Sequence, residues 1–291
     1  MQRLAGDRLH LSHGPIDVVL KAWGDRASVR AAYAAACARF PSILPELCDE
    51  LARLRLPIED VGNLGGAVAR RMADACRPFR GVFVTPMAAV AGAVADELLA
   101  SMTAAARLTR AFVNDGGDIA VLTSGGQALD IGIAGEFSGP LPAINGAAHI
   151  DAHCGIGGIA TSGARGRSFS LGIADSVTTF AGNAAAADVA ATLIANAVDV
   201  DSPAVVRRPA RELDPDSDLG DLPVTLAVGE LTKVEIAAAL RRGAQKANDY
   251  RHRGLIVAAA LMLAGEIRTA GGALGALTFP AKALQRAIPP G

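Results

Sequence analysis

The chain has 291 residues, of which 51% are hydrophobic and 20% are charged, and its formal net charge is −1. This length and composition allow a sizeable buried core and exclude disorder as a general description. Because a net charge near zero provides no basic field, we expect no binding to nucleic acid and no attraction to an anionic membrane surface.

The sequence predicts a cytoplasmic protein. The apolar run 255–264 has about half the length that a membrane-spanning helix needs. Residues 1–15 lack the apolar core of a secretory signal. The cysteines form no CxxC pair, which argues against a disulfide framework and against a cysteine zinc site. Three of them lie in helical sequence and are predicted to be small core residues: Cys37, Cys48 and Cys76.

The first part of the chain is predicted to be mostly helical. Apolar residues in 8–12 and 16–23, on either side of His13-Gly14-Pro15, indicate a hairpin. A short apolar run predicts a strand at 81–85. Apolar residues at helical spacing predict helices at 28–40, 43–54, 65–76 and 87–107, of which the first two are punctuated by Pro41 and Pro45 and the last begins at Pro86.

Beyond residue 110, short β-prone runs broken by glycine predict an antiparallel sheet. The predicted strands are 111–114, 118–123, 128–134, 149–159, 168–180, 224–228 and 254–264. One predicted helix runs from Asn183 as its N-cap to Val198, a second covers 233–248, and the Pro- and Asp-rich run 199–222 should be an exposed connection.

The expected fold class is therefore α+β, with antiparallel sheets packed against Ala-rich helices. We expect a single domain over 1–291, helix-rich at about 24–110 and sheet-rich at about 111–291. Because Ala- and Gly-rich helices pack closely, a homodimer is also expected.

The glycine-rich loop after residue 160 has the composition of an anion-binding loop. Thr161, Ser162 and Gly163 precede two arginines, Arg165 and Arg167. Glycine lets successive backbone N–H groups turn towards one point, where they hold phosphate or carboxylate. The alternative is a tight surface turn with solvated arginines.

Asp188 is the one acid in an otherwise apolar, Ala-rich predicted helix. Burying an ionised carboxylate without a partner is costly, so a metal, an arginine or a group of backbone amides must compensate. Thr192 lies four residues on and shares its helical face. Magnesium takes oxygen ligands from few protein groups, and this pair would suit it. The alternative is a carboxylate hydrogen-bonded to a neighbouring turn.

Three weaker motifs remain. The string VNDGGDI at 113–119 joins two predicted strands and is, by itself, an ordinary hairpin turn. His149, Asp151 and His153 would share one strand face at a spacing that can ligate a transition metal, although histidine pairs are more often structural. Cys154, next to His153, is a candidate thiolate for sulfur or acyl transfer, with a small buried residue as the alternative.

Three blocks, taken together and in this order, resemble the ApbE family, the FAD:protein FMN transferases. They are TPMAAVAGAVAD at 85–96, VNDGGDI at 113–119, and ATSG at 160–163 continued by ADVAAT at 187–192. The chain is more similar still to an uncharacterised ApbE-like branch of bacteria and archaea, which shares GIGGIATSG, GRSFSLGIADSV and the ADxAAT helix. That similarity covers nearly the whole chain.

The resemblance implies a Mg²⁺ site that works on the pyrophosphate of a bound flavin. Its implied ligands are Asp188, Thr192 and the main-chain carbonyls of Ala88 and Ala191. The expected cofactors are Mg²⁺ and FAD or FMN, and the expected partner is a small phosphorylated molecule. The residues expected to line its site are Thr85, Asn114, Gly116, Gly117, Asp118, Thr161, Ser162, Gly163 and Arg165.

The sequence also departs from the transferase pattern. Thr85 and Ala91 occupy positions where the transferases have an acid and a Lys or Glu that contact FAD, and the His-Ile-x-Asp-Pro stretch after the ATSG loop is absent. Since these groups position the pyrophosphate, we expect a magnesium-dependent pocket with metal-assisted transfer or hydrolysis rather than FMN transfer onto protein. The alternatives are a non-catalytic cofactor- or metabolite-binding module, and sulfur or acyl transfer by Cys154.

Overall fold

The computed structural model describes residues 1–136, 143–166, 168–271 and 277–278. The helices of this part of the chain are α1 Arg26–Leu54, α2 Ala67–Cys76, α3 Val90–Ala105, α4 Ala184–Ala197, α5 Ala210–Leu213 and α6 Lys233–His252. The strands are β1 Gln2–Leu4, β2 Arg8–His13, β3 Ile16–Trp23, β4 Arg110–Asp115, β5 Asp118–Thr123, β6 Ala128–Glu136, β7 Ala143–Asp151, β8 Gly158–Ser162, β9 Ser176–Ala181, β10 Val205–Pro209, β11 Pro223–Val228, β12 Ala258–Leu263, β13 Glu266–Ala270 and β14 Leu277–Thr278.

The chain divides into two units, and each is described by itself. The first consists of Met1–Leu129, Ile150–Ala160 and Phe180–Val189. The second consists of Asp130–His149, Thr161–Thr179 and the described residues of Ala190–Gly291. Every strand pair whose register is described is antiparallel, so the predicted α+β class with antiparallel sheets is confirmed.

In the first unit, β1 to β5 pair in sequence order, and β8 pairs with the free side of β5. Strand β3 shows why this sequence forms a sheet with one face on the core. Its residues alternate, with Ile16, Val18, Leu20 and Ala22 buried and their neighbours more exposed. The hairpin predicted around His13-Gly14-Pro15 is confirmed.

Helices α1, α2 and α3 pack on one another, and α1 and α3 pack on the strands of the first unit. The break predicted at Pro41 and Pro45 is wrong, since α1 is continuous through both. Proline removes a backbone donor and crowds the preceding turn, but both prolines lie on the exposed side of α1. The opposite side buries Phe40, Ile43 and Leu47, and we attribute the continuity of the helix to this packing.

The segment Pro86–Ala105 is long and apolar enough, by length and composition, to cross a membrane. The core helix of a water-soluble protein passes the same test. This segment is a one-turn 3-10 helix followed by α3, and α3 packs against α1, α2, β4 and β5. Its buried residues include Ala93, Val94 and Leu98. The apolar character of the segment is therefore accounted for by its position in the core.

In the second unit, β9, β12 and β13 are neighbours in one sheet, β6, β7 and β14 form another, and β10 pairs with β11. The predicted strand within 254–264 is confirmed as β12, whose residues are all buried. Helix α6 begins with a capping box between Thr232 and Glu235. The run 199–222, predicted as a connection, contains β10 and α5.

Three other predicted elements need correction. Residues 81–85 form no strand; Ile58 N–H bonds to the Val84 carbonyl (2.9 Å), but no strand lies alongside them. The strand predicted at 149–159 is two strands, because the Asp151 carboxylate accepts hydrogen bonds from the next turn and ends β7. The strand predicted at 168–180 begins only at Ser176, since Leu171 N–H instead bonds to the Asn196 side chain (3.0 Å).

All four cysteines are free. Cys76 is a buried core residue, as predicted, and burial raises the pKa of its thiol. The prediction for Cys48 is wrong, because it lies on the exposed face of α1, and Cys37 is half-buried.

Candidate functional site

The start of helix α4 packs against three glycines, at positions where any larger residue would overlap with backbone atoms. A Cβ atom at Gly92 of α3 would lie 2.4 Å from the Ala184 carbonyl oxygen. A Cβ at Gly158 would lie 2.1 Å from Ala184 N, and one at Gly157 would lie 2.3 Å from the Gly182 carbonyl oxygen. The first turn of α4 is therefore held in backbone contact with α3 and with the start of β8.

The N-terminus of α4 is capped by an aspartate from another helix. Asp96 of α3 accepts hydrogen bonds from Ala184 N–H (3.0 Å) and Ala185 N–H (2.9 Å). Asn183 accepts from Ala186 N–H (2.8 Å), as its predicted N-cap role requires. Three N–H groups that have no partner within the helix are thus satisfied by side chains. Burial is the larger influence on Asp96 and raises its pKa despite these two donors.

Asp188 performs the reciprocal task for α3. Its Oδ2 accepts a hydrogen bond from Gly92 N–H (3.1 Å), in the first turn of α3. Gly92 and Ala184 are the residues in contact, and each aspartate lies four residues beyond the contact on its own helix. The alternative interpretation of Asp188, a carboxylate bonded to a neighbouring turn, is therefore correct for one of its two oxygens.

The surroundings of Asp188 are negatively charged. Burial raises its pKa well above the usual range, and the carboxylate of Asp118 raises it further, followed by those of Asp115 and Asp96. The hydrogen bond from Gly92 N–H lowers it. Asp188 in turn helps to raise the pKa of the Cys76 thiol, after burial. Among the described residues, then, this carboxylate has one hydrogen-bond donor and several acidic neighbours.

The hairpin between β4 and β5 supplies two of these acids. Gly116 and Gly117 form its turn with φ values of 65° and 119°, and Asp115 pairs with Asp118 across it. The Asn114 side chain accepts from Gly117 N–H (2.8 Å) and stabilises the turn. The predicted site residues Asn114, Gly116, Gly117 and Asp118 thus share one turn, and Asp118 is close enough to raise the pKa of Asp188.

The segment before α3 contacts Cys76, the thiol whose pKa Asp188 helps to raise. Thr85 is buried (2% exposed), and its carbonyl accepts hydrogen bonds from the Cys76 thiol (3.4 Å) and from Ala88 N–H (3.1 Å). Helix α4 contains both Asp188 and Thr192, one turn apart, with Ala191 buried between them. Of the other predicted metal ligands, Ala88 lies in the 3-10 turn before α3, and Ala191 and Thr192 lie in α4.

The glycine-rich loop of the second unit is held by its own contacts. Thr161 and Thr178 share a hydrogen bond between their hydroxyls (2.8 Å), and Arg165 forms an ion pair with Asp175 (2.7 Å). A Cβ at Gly163 would lie 2.6 Å from the Asp175 carbonyl oxygen. Ser162 is half-buried. Arg167, the second predicted arginine, lies outside the described residues.

The histidines do not form a metal centre within the described ranges, which hold no group of three or more His, Cys, Asp or Glu side chains suited to a metal ion. His149 pairs with Asp130 (2.8 Å), and Asp151 accepts from His153 N–H (2.8 Å) and Cys154 N–H (3.0 Å). The Cys154 thiol lies 3.0 Å from the Asp151 carbonyl oxygen and donates to it. The contacts of Asp151 therefore form the turn that follows β7.

Asp96 is the residue that the sequence interpretation missed. It lies in an apolar helix directly before a second acid, Glu97, so it does not stand alone in its helix as Asp188 does. Only the fold separates the two acids, because Glu97 pairs with Arg39 and Arg71 whereas Asp96 caps α4.

A family model described as "AbpE bacteria" matches residues 1–269. The chain belongs to this family. The resemblance stated from the sequence blocks is thereby confirmed, because the match includes all three of them. In this AbpE family member, Gly92 and Asp96 belong to the first block, the β4–β5 turn is the second, and Asp188 belongs to the third.

Archaeal relatives share part of the chain with this AbpE family member. A UPF0280 protein of Methanopyrus kandleri is 37% identical over 164 residues, which is 56% of this chain and 62% of the relative. A UPF0280 protein of Methanosphaerula palustris is 39% identical over 138 residues, 46% of this chain and 54% of the relative. The chain thus spans between half and two thirds of the length of these curated relatives.

Among solved structures, the AbpE family member is similar to the ApbE protein of Thermotoga maritima. The two are 14% identical, and the similarity covers 90% of this chain and 96% of the other, with a TM-score of 0.42.

Proposed function

We propose that Asp188 binds a magnesium ion beside a flavin-like or other phosphorylated ligand, and that the protein acts on this ligand by metal-assisted transfer or hydrolysis. The observation that carries the proposal is the environment of Asp188. A carboxylate with one N–H donor among three acidic neighbours is stabilised by a cation, and a cation there also offsets the repulsion from Asp118 and Asp115.

The chemistry of the nearby groups fits magnesium. Oxygen donors are its preferred ligands, and it commonly uses one or two carboxylates together with water and substrate phosphates. Asp188 and Thr192 would supply side-chain oxygens from one helical face, and Ala88 and Ala191 would supply carbonyl oxygens. A site of this kind needs no group of three acidic or histidine ligands. When bound, the ion would polarise a phosphoryl oxygen of the ligand.

The protein's own contribution is to fix the carboxylate. Gly92 N–H holds Oδ2 of Asp188, and Asp96 holds the first turn of the helix that carries it. This leaves Oδ1 as the oxygen for the ion. Within the first unit, the hairpin turn would line the ligand with Asn114, Gly116, Gly117 and Asp118, together with Thr85. Membership of the AbpE family supports this assignment.

Calorimetric titration of FAD, FMN and ADP, each with Mg²⁺ and with EDTA, tests the proposal. We expect Mg²⁺ to tighten the binding of at least one of them tenfold or more, and Asp188→Asn to remove that effect because it removes the anionic ligand. Thr192→Val, which keeps the shape of the side chain, should weaken it. The control Asp201→Asn changes an exposed aspartate and should retain it. Equal binding with Mg²⁺ and EDTA for all three ligands would overturn the proposal.

A non-catalytic binding module is the second candidate function. It is favoured by Thr85, an uncharged, buried residue at a position where the transferases have an acid. Incubation of the purified protein with FAD and Mg²⁺ separates the two functions. Release of FMN and AMP that is lost in Asp188→Asn supports the enzyme, whereas binding without turnover supports the module.

A further inference from the structure

A cleft of ≈ 520 Å³ lies at the end of β3. Its lining is rich in cationic side chains that belong to none of the sites described above. The turn after β1, the end of β3 and the first turns of α1 enclose it. Four cationic side chains line it, together with the single carboxylate of Asp7: Arg3, Lys21, Arg26 and Arg30. The formal net charge of the whole chain is −1, so this local excess of positive charge is a property of the cleft.

These cations have no carboxylate partners among the described residues. No ion pair involves Arg3, Lys21, Arg26 or Arg30, whereas many other arginines of the described chain are paired. The nearest acid in sequence, Asp25, is used elsewhere, since it accepts from Ala27 N–H and Ser28 N–H as the N-cap of α1. The charge of the cleft is therefore available to a ligand.

Arg26 and Arg30 lie one turn apart on α1, so their side chains share a helical face. The N-terminus of this helix is already capped, because Asp25 accepts from Ala27 N–H and Ser28 N–H. The two guanidinium groups, rather than the helix end, are therefore what α1 offers to an anion.

The cleft is held in shape by Tyr33, which is buried (7% exposed). Its hydroxyl donates to the Asp7 carbonyl (2.7 Å) and accepts from Ala22 N–H (3.3 Å). One side chain of α1 thus ties the turn after β1 to β3. Nearby, the Lys21 Nζ lies 4.6 Å and the Arg110 Cζ lies 4.5 Å from the centre of the Trp23 ring. Because these cations occupy its faces, the Trp23 ring is less suited to stacking on a ligand's ring.

We propose that this cleft binds a small phosphorylated anion through the guanidinium groups of Arg3, Arg26 and Arg30 and the ammonium group of Lys21. Guanidinium forks match phosphate oxygens in pairs, and the volume of the cleft lies in the range of small-molecule sites. The recognised group is the phosphate itself, either as a free anion or on a small metabolite. The proposal is independent of the magnesium site.

Trp23 is the only tryptophan in the chain and lines the cleft, so its fluorescence reports binding. Pyrophosphate, inorganic phosphate, ADP and citrate are titrated in EDTA at constant ionic strength, and calorimetry repeats each titration. Chelation keeps any magnesium-dependent site out of the readout. We expect a saturable response to pyrophosphate, and comparison with ADP and inorganic phosphate shows whether a free anion or a phosphorylated metabolite binds better.

The double variant Arg26→Gln, Arg30→Gln should raise the half-saturating concentration of pyrophosphate at least tenfold. The control Arg241→Gln, at an exposed arginine of α6, should leave it unchanged. Titrations silent in both fluorescence and calorimetry would overturn the proposal, as would an unchanged half-saturating concentration in the double variant or tighter binding of citrate than of pyrophosphate. If the double variant fails to fold, each single variant gives the same comparison.

Discussion

Replacing Gly92 with alanine is expected to lower the free energy of unfolding by about 3 kcal/mol, a large cost for a single methyl group. The new Cβ would lie 2.4 Å from the Ala184 carbonyl oxygen and 2.7 Å from Ala185 N. Both are backbone atoms, so no side chain can rotate away and the two helices must separate. Alanine is more favourable than glycine in a helix by about 1 kcal/mol. The free-energy cost of the overlap must exceed this gain for the variant to be less stable.

Urea denaturation followed by circular dichroism measures this change. The matched control is Gly182→Ala, two residues before α4, where an added Cβ meets nothing within 4 Å. We expect the control to stay within about 0.5 kcal/mol of the original protein. A loss below about 1 kcal/mol for Gly92→Ala would show that α3 and α4 can move apart freely, and the account of the contact would be wrong.

The second large effect is expected at Asp96. Asp96→Ala leaves Ala184 N–H and Ala185 N–H without their acceptor, and both residues are buried. Unsatisfied buried donors cost about 1–3 kcal/mol each, and loss of a helix cap costs about 0.5–2 kcal/mol. Because the two estimates overlap, we expect a total loss of about 3 kcal/mol.

Asp96→Asn separates the hydrogen bonds from the charge. The amide retains one acceptor oxygen, so it should lose about half as much stability as the alanine variant. Asp249→Ala is the control, since Asp249 is exposed and pairs with Arg253 at 3.5 Å on α6. Such exposed pairs contribute about 0–1 kcal/mol. Equal losses for Asp96→Ala and Asp249→Ala would contradict the capping role.

The sequence predicted elements whose signals are local. Asn183 before an Ala-rich run predicted the start of α4, and paired glycines after Asn114 predicted the β4–β5 turn. Both signals work because a side chain or a positive φ acts within three residues. The β2–β3 hairpin was predicted for the same reason, since Gly14 and Pro15 mark its turn.

The sequence failed where distant packing decides the outcome. Proline rules predicted a break in α1, but the buried residues on the opposite side of the helix pack as a continuous stripe. Asp151 could have been identified as a strand end from the turn-forming tendency of aspartate. The contact between Gly92 and Ala184 joins residues 92 positions apart, and no local pattern encodes such a pair.

The candidate site was predicted in part. The isolation of Asp188 in apolar sequence predicted a carboxylate that needs a compensating group, because burial penalties can be estimated from composition, and Gly92 N–H provides one such group. The resemblance placed Asp118 in the same site, whereas Asp115 and Asp96, which also raise the pKa of Asp188, were not predicted. Arg165 was expected to face a ligand, and its partner Asp175 became visible only in the fold.

Whether a divalent ion binds at Asp188 is tested most directly by crystallography with Mn²⁺ in place of Mg²⁺ and with ADP present. Anomalous scattering locates manganese without reference to the protein atoms. The account predicts an anomalous peak within about 2.2 Å of a carboxylate oxygen of Asp188, and its loss in crystals of Asp188→Asn. A peak bound only to other residues, or none at Asp188 while ADP is bound, would contradict it.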